Sequence, residues 1–176
     1  GAFEYQGQKC SAASRAYVPE TVWNNISDDF VEEISKIKMG DCNDFTNFMT
    51  AVIDQRAFDK INGYVDRARS DKDCEIIAGG NNNGKKGWFI EPTVIVTRNP
   101  ESETMVEEIF GPVLTVYVYK DEEFDNVLEL CDKASPYALT GSIFSSNEDN
   151  IQKAYDKLRF TAGNFYINDK PTGAVV

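Results

Sequence analysis

Residues 113–168 read VLTVYVYKDEEFDNVLELCDKASPYALTGSIFSSNEDNIQKAYDKLRFTAGNFYIN and alternate two kinds of apolar pattern. Three parts are short and rich in β-branched and aromatic residues, which is the composition of β-strands: 113–119, 139–145 and 163–168. The parts between them space apolar residues three or four apart, which predicts helices that begin near Asp121 and Asn147. This order predicts an α/β fold with a largely parallel sheet flanked by helices, because parallel neighbours need a crossover connection that a helix supplies.

The earlier part of the chain carries the same two patterns. Apolar spacing predicts one helix around Phe30, Ile34 and Ile37, and another around Phe58, Ile61, Val65 and Ala68. Asp54 is placed to cap the second helix, and strands are predicted at 74–78 and 93–97. The glycine-rich residues 79–87 fit neither G-x-G-x-x-G nor P-loop spacing, so we predict an ordinary turn there. In such a fold the active site is expected at the ends of strands.

Length, composition and charge limit the class of protein. A chain of 176 residues, 41% of them hydrophobic, is long enough for one core, so we expect a single globular unit. Its net charge of -11 opposes binding to nucleic acids and to anionic membranes, and neither is expected as a partner. No apolar run approaches the roughly 18 to 20 residues that span a bilayer, and the first residues do not resemble a signal peptide. Because the sequence begins without Met, it is expected to be part of a longer chain.

The four cysteines do not form a metal or disulfide pattern. They stand at Cys10, Cys42, Cys74 and Cys131, without a C-x-x-C pair, and the sequence contains no histidine. We therefore expect no metal site and no disulfide, and a thiol redox or metal protein is disfavoured. Cys131 falls on the apolar face of a predicted helix and is expected in the core.

Residues 7–15, GQKCSAASR, are the candidate site of chemistry. Cys10 stands beside Lys9 and close to Arg15, and a nearby cation favours the thiolate that attacks carbonyl carbon. The residues alone leave two interpretations open, an inert core cysteine or a nucleophile. The absence of histidine excludes a Cys-His pair within this chain.

Three segments resemble the aldehyde dehydrogenase family. GQKCSAASR resembles the cysteine signature of these enzymes, GWFIEPTVIV the strand region after their loop, and VEEIFGPVLTVYVY their Glu-x-Phe-Gly-Pro cofactor segment. The three occur in the order and at the separations typical of the family. FEYQGQKCSAASR and AGNFYINDKPTGAVV are most similar to the pyrroline-5-carboxylate dehydrogenase branch.

The resemblance assigns roles to six residues. It implies that Cys10 is the catalytic nucleophile, that the cofactor is NAD, and that Glu108 and Phe110 contact it at the nicotinamide ribose. The implied substrate is the small molecule glutamate semialdehyde, with its α-carboxylate bound by Ser11, Gly173 and Ala174. Ala174 stands where animal-like members have serine, so a backbone donor is kept while a hydroxyl donor is lost.

The resemblance also implies what the chain lacks. Residues 1–176 correspond to an aldehyde dehydrogenase catalytic domain that is truncated, with the general-base glutamate, the oxyanion asparagine and most of the cofactor-binding domain lying upstream. We therefore expect negligible dehydrogenase activity from these residues alone. The parent is expected to be a homo-oligomer, in the mitochondrial matrix of a eukaryote or otherwise in the cytoplasm.

Two other functions remain open at this point. One is a different aldehyde dehydrogenase that acts on another semialdehyde. The other is a noncatalytic acidic interaction module, in which replacement of Cys10 would change only packing.

Overall fold

The computed structural model describes residues 1–172 and contains eight strands and five α-helices within that range. The strands are β1 (Arg15–Pro19), β2 (Cys74–Ala78), β3 (Asn82–Asn83), β4 (Phe89–Ile90), β5 (Thr93–Thr97), β6 (Val113–Tyr119), β7 (Thr140–Ile143) and β8 (Asn164–Ile167). The helices are α1 (Glu20–Ser35), α2 (Gln55–Ser70), α3 (Glu103–Val106), α4 (Phe124–Lys133) and α5 (Glu148–Leu158). Short 3-10 turns lie at Glu4–Gly7 and Asp121–Glu123.

A four-stranded sheet with the order β1-β6-β5-β2 forms the centre of the fold. β1, β6 and β5 are parallel, with Arg15 opposite Thr115 and Thr93 opposite Val113, whereas β2 runs antiparallel to β5. The two central strands are mostly buried on both faces, as parallel strands covered by helices should be. The predicted α/β class with a largely parallel sheet is confirmed.

Most predicted elements are present at the expected places. β2, β5 and β6 have the predicted bounds. α2 begins after Asp54, whose carboxylate accepts a hydrogen bond from the Ala57 backbone N–H at 2.7 Å, and α5 begins after Asn147, which caps it in the same way. The first helix differs, because it begins at Glu20 and ends at Ser35, so Ile37 lies beyond it.

β1 was not predicted, although it directly follows the candidate site. The segment Arg15–Pro19 is short, begins with a charged residue and ends with proline, so it carries a weak strand signal. As an edge strand bonded only to β6, it tolerates proline at its last position. The cysteine-bearing segment therefore leads straight into the sheet.

The last two strands form a separate parallel pair. The alternation in residues 113–168 suggested a single sheet, but β7 pairs with β8 and not with β6. The physical reason is that β6 already has β1 on one side and β5 on the other, so it has no free edge for β7. Helix α5 connects the pair and packs with α4 around Leu128, Ala154 and Leu158, where the partly buried Cys131 joins them as predicted.

Two apolar clusters cover the two faces of the central sheet. Ile95 and Val113 face α2 and pack with a group that includes Phe58, Ile61, Val65 and Ala68. Val94, Leu114 and Val116 face α1 and pack with Ile34, Met49, Ala2 and Phe3. Val94 and Ile95 fall on opposite faces because successive side chains alternate along a strand. Since Phe3 is buried, the start of the cysteine-bearing segment is held in the core.

The glycine-rich segment is a turn, as predicted, but it also contains strand β3. β3 pairs with β4 in a short antiparallel hairpin. Gly79 has φ +66°, and a Cβ there would lie 2.2 Å from the backbone oxygen of Pro92. This glycine is therefore required by the shape of the backbone and not by a phosphate.

Candidate active site

Cys10 lies in an exposed turn between the 3-10 turn Glu4–Gly7 and strand β1. The Ala12 backbone N–H donates to the Lys9 carbonyl at 3.1 Å, which closes the turn around the cysteine. Cys10 thus lies on the surface of the described residues, shortly before the first parallel strand. An exposed thiol held on a defined turn is accessible to an aldehyde.

The two cations that were expected to activate Cys10 have other partners. Lys9 Nζ lies 3.0 Å from a carboxylate oxygen of Glu4. The guanidinium of Arg15 donates to the backbone carbonyls of Met105 at 3.2 Å and Tyr137 at 3.5 Å. Lys9 and Arg15 thus each contact neighbouring parts of the chain, and their effect on the Cys10 thiolate stays a prediction.

The substrate-binding prediction is only partly within the described residues. The hydroxyl of Ser11 lies 3.2 Å from that of Thr172, and the Thr140 hydroxyl donates to the Ser11 carbonyl at 3.4 Å. Thr172 is buried, so the end of the described chain is packed against the residue that follows the cysteine. Gly173 and Ala174 lie outside the described residues.

Glu108 and Phe110 both present exposed side chains, while Ile109 between them is buried in the core. Phe110 has φ +59°, a left-handed conformation that makes the chain turn sharply before Gly111. Lys60, on α2, donates through Nζ to the Glu108 backbone carbonyl at 3.0 Å. An exposed carboxylate and an exposed aromatic ring are therefore held on one fixed turn.

The cysteine-bearing segment and the Glu108–Phe110 segment are in backbone contact. A Cβ added at Gly7 would lie 2.1 Å from the backbone oxygen of Gly111, which shows how closely the two chains pass. Gly7 is three residues before Cys10, and Gly111 directly follows Phe110. The structure thus places the segment that carries Cys10 against the segment that carries Glu108 and Phe110, although the two are about 100 residues apart in sequence.

Three polar side chains of the site were not predicted: Gln6, Lys60 and Thr172. Each contacts a segment at least 44 residues away, so spacing within a single segment does not reveal it.

The four thiols are expected to differ in reactivity. Burial raises the pKa of the Cys74 thiol and, in the same way, the pKa of the Cys131 thiol. A raised pKa lowers the thiolate fraction at a given pH, so their alkylation should begin at higher pH than for a free thiol. Cys10 and Cys42 are exposed. We expect iodoacetamide to label Cys10 and Cys42 roughly tenfold faster than Cys74 and Cys131 near neutral pH.

Peptide mass spectrometry over a pH series measures this order. In denaturant the four sites should react at similar rates, which provides the control for intrinsic differences. Labelling of Cys131 as fast as that of Cys42 in the folded protein would contradict the described burial.

Two further properties concern residues 1–172. None of the helices there is long and apolar enough to cross a membrane. No group of three or more His, Cys, Asp or Glu side chains in that part of the chain could hold a metal ion.

One protein family matches the chain over its whole length. The model of the aldehyde dehydrogenase family matches residues 1–176. The chain therefore belongs to the aldehyde dehydrogenase family.

Relatives within that family carry a more specific name. The chain is 54% identical over 176 residues to the mitochondrial delta-1-pyrroline-5-carboxylate dehydrogenase of Dictyostelium discoideum, covering 100% of this chain and 32% of the relative. It is 52% identical to the mitochondrial enzyme of the same name from Danio rerio, covering 99% and 32%. The chain spans about a third of the length of these relatives.

A solved structure with the same enzyme name is also similar to this chain in fold. The delta-pyrroline-5-carboxylate dehydrogenase of Mycobacterium tuberculosis, crystallised with NAD, superposes with a TM-score of 0.92 at 43% identity. The match covers 100% of this chain and 32% of that protein.

Proposed function

We propose that the full-length protein is an NAD-dependent dehydrogenase that oxidises L-glutamate γ-semialdehyde, formed from 1-pyrroline-5-carboxylate, to glutamate in proline catabolism. The observation that carries this proposal is the backbone contact between Gly7 and Gly111, which joins the segment of Cys10 to the segment of Glu108 and Phe110. That arrangement occurs in a chain matched along its length by relatives named for this activity. It favours a catalytic role over a noncatalytic interaction module, because an interaction surface does not require this juxtaposition.

Cys10 supplies the covalent step. Its thiolate adds to the aldehyde carbon, so that a C–S bond forms and the carbonyl oxygen takes the negative charge. The Cys10 backbone N–H would donate to that oxyanion. Loss of hydride from the same carbon oxidises the adduct to a thioester. Water then attacks the thioester carbonyl, the C–S bond breaks, and glutamate and the free thiolate are released.

The chain's own residues fit one end of NAD. The exposed Glu108 carboxylate is an acceptor for two ribose hydroxyl groups, and the exposed Phe110 ring offers an apolar face beside it. Buried Ile109 and the Lys60 contact hold both in place. When bound, NAD supplies the hydride acceptor for the oxidation.

The α-carboxylate of the substrate would be bound by Ser11, Gly173 and Ala174. Ser11 supplies a hydroxyl in the residue next to the nucleophile, at the place where the buried Thr172 packs. Consecutive backbone N–H groups at Gly173 and Ala174 would form the rest of an anion-binding site. A carboxylate bound there would leave the aldehyde facing Cys10.

We further propose that residues 1–176 form a catalytic domain that works only with the rest of the protein. About two-thirds of the length of the relatives lies outside the matched region, and the general base and most of the cofactor-binding domain belong there. These residues alone are expected to show negligible turnover. The whole protein is proposed to be a homo-oligomer in the mitochondrial matrix of a eukaryotic cell, or in the cytoplasm of a bacterium.

Substrate selectivity tests the proposal. We expect the full-length protein to reduce NAD with glutamate semialdehyde at a kcat/KM about 100-fold or more above that with butanal, which lacks both the carboxylate and the amine. Glutaric semialdehyde, which lacks only the amine, should fall between them. Reduction of NAD is followed by absorbance of NADH.

Equal kcat/KM values for the three aldehydes would favour another aldehyde dehydrogenase. Absence of turnover with all three would favour the interaction module.

A further inference from the structure

Gln6 has an unusual combination of backbone and side-chain environment. Tyr5 and Gln6 have φ values of 54° and 57°, and Gly7 continues the same left-handed path with φ +65°. This conformation is unfavourable for residues with a Cβ and persists where surrounding contacts hold it. Gln6 is also buried, with only 8% of its surface exposed.

The Gln6 amide uses both of its ends. Nε2 donates to the Thr50 hydroxyl at 3.2 Å and to the Ala51 carbonyl at 3.1 Å. Oε1 accepts from the Thr50 backbone N–H at 3.2 Å. Three hydrogen bonds from one buried side chain fix the turn against a segment 44 residues away.

The segment that receives these bonds is rigidly attached to the core. Val52 is buried in the cluster beneath α2, and its backbone N–H donates to the Trp88 carbonyl at 2.8 Å. Two residues later, Asp54 caps α2. Gln6 therefore ties the left-handed turn, four residues before Cys10, to a segment that is packed in the core.

We propose that Gln6 is a positioning residue for Cys10: its amide holds the left-handed turn that sets the location of the exposed sulfur relative to Glu108 and Phe110. The inference rests on the proposed function and adds a residue that acts through the backbone, without touching substrate or cofactor. The turn has a second tie to the same segment, because Gln8 Oε1 accepts from the Ile53 backbone N–H at 2.9 Å. Gln6 is the buried member of the two and makes three hydrogen bonds to that segment, whereas Gln8 is only partly buried.

Two substitutions at Gln6 distinguish a role of its three amide hydrogen bonds, which we call the Gln6 clamp, from simple packing of its side chain. Gln6→Ala removes the amide but keeps the Cβ in a left-handed backbone, whereas Gln6→Gly removes the amide and also the strain. If the amide acts against backbone strain, glycine should perform better than alanine. If Gln6 merely fills space, alanine should perform better than glycine, since it leaves the smaller void.

In the full-length protein, Gln6→Ala is expected to lower kcat about tenfold or more with the KM for NAD within about twofold. Gln6→Gly should recover kcat to within about threefold of the unmodified protein. Gln152→Ala, an exposed glutamine on α5, is the matched control and should leave both constants unchanged. Thr50→Val, a milder change on the partner side, should give a smaller loss than Gln6→Ala and add little to it in the double variant.

A second readout does not depend on turnover. The ratio of Cys10 to Cys42 alkylation rates, measured without substrate, should change about threefold or more in Gln6→Ala and return toward its original value in Gln6→Gly. Unchanged ratios in Gln6→Ala, or alanine outperforming glycine, would overturn the inference. If the protein lacks dehydrogenase activity, the alkylation ratio still tests the clamp, so failure of the proposed function is distinguishable. If Gln6→Ala does not fold, the same two readouts, kcat and the ratio of Cys10 to Cys42 alkylation rates, are measured in Thr50→Val and Gln6→Gly. An unchanged kcat and an unchanged ratio in Thr50→Val would then overturn the inference.

Discussion

Replacing Cys10 with alanine in the full-length protein is expected to lower kcat with glutamate semialdehyde by about 10⁴-fold or more. Without the sulfur atom no C–S bond forms, so the oxidation would require direct removal of hydride from an aldehyde or its hydrate. Histidine is absent from the chain, and the other exposed cysteine, Cys42, lies in the loop between α1 and α2. We therefore expect that no other thiol of this chain takes over the reaction.

The matched control for this prediction is Cys42→Ala, which also removes an exposed thiol. It should leave kcat unchanged, and both variants should keep the stability of the unmodified protein within about 0.5 kcal/mol, because both residues are exposed within residues 1–172. NADH formation and urea unfolding measure the two properties. Cys10→Ala that retains more than about 1% of kcat would contradict the role of Cys10 as nucleophile.

The parts of the fold that could be predicted are those whose signals are local. β5 and β6 are runs of β-branched residues, and α2 combines a capping aspartate with four apolar residues on one face. Each of these signals lies within a single element, so the element could be predicted without knowledge of the rest of the fold. The role proposed for Cys10 rests on the resemblance of its segment to a family, because a single cysteine has no local signal that is specific for function.

The parts that were missed depend on contacts between distant segments. The strand β1 depends on pairing of Arg15–Pro19 with one edge of β6. Because β1 occupies that edge, β7 does not pair with β6 and forms a separate pair with β8. The sequence also did not indicate that the Lys9 ammonium, which is next to Cys10 in the chain, forms a salt bridge with the Glu4 carboxylate at 3.0 Å. The Gln6 clamp depends on a segment 44 residues away, which no periodicity reports.

Gly7→Ala is expected to lower the free energy of unfolding by roughly 2 to 4 kcal/mol and to lower kcat as well. The added methyl would lie 2.1 Å from the Gly111 backbone oxygen and 3.0 Å from that of Ala2, and backbone atoms cannot rotate away. The φ of +65° adds strain that alanine does not tolerate well. Urea unfolding followed by tryptophan fluorescence measures the change.

Gly63→Ala makes the matched control, because the same methyl group is added inside α2. There the nearest atom is the guanidinium end of Arg67 at 3.1 Å, which can move, and alanine favours the helix by about 0.5 to 1 kcal/mol over glycine. The two variants should therefore shift the free energy of unfolding in opposite directions.

The contact at Gly7 also joins the cysteine turn to the Glu108–Phe110 segment. Separating these two backbones would move Cys10 away from the residues proposed to contact the cofactor, so kcat should fall even where Gly7→Ala remains folded. Gly7→Ala with unchanged stability and kcat would show that the two segments need not touch, which would remove the main geometric support for the active site.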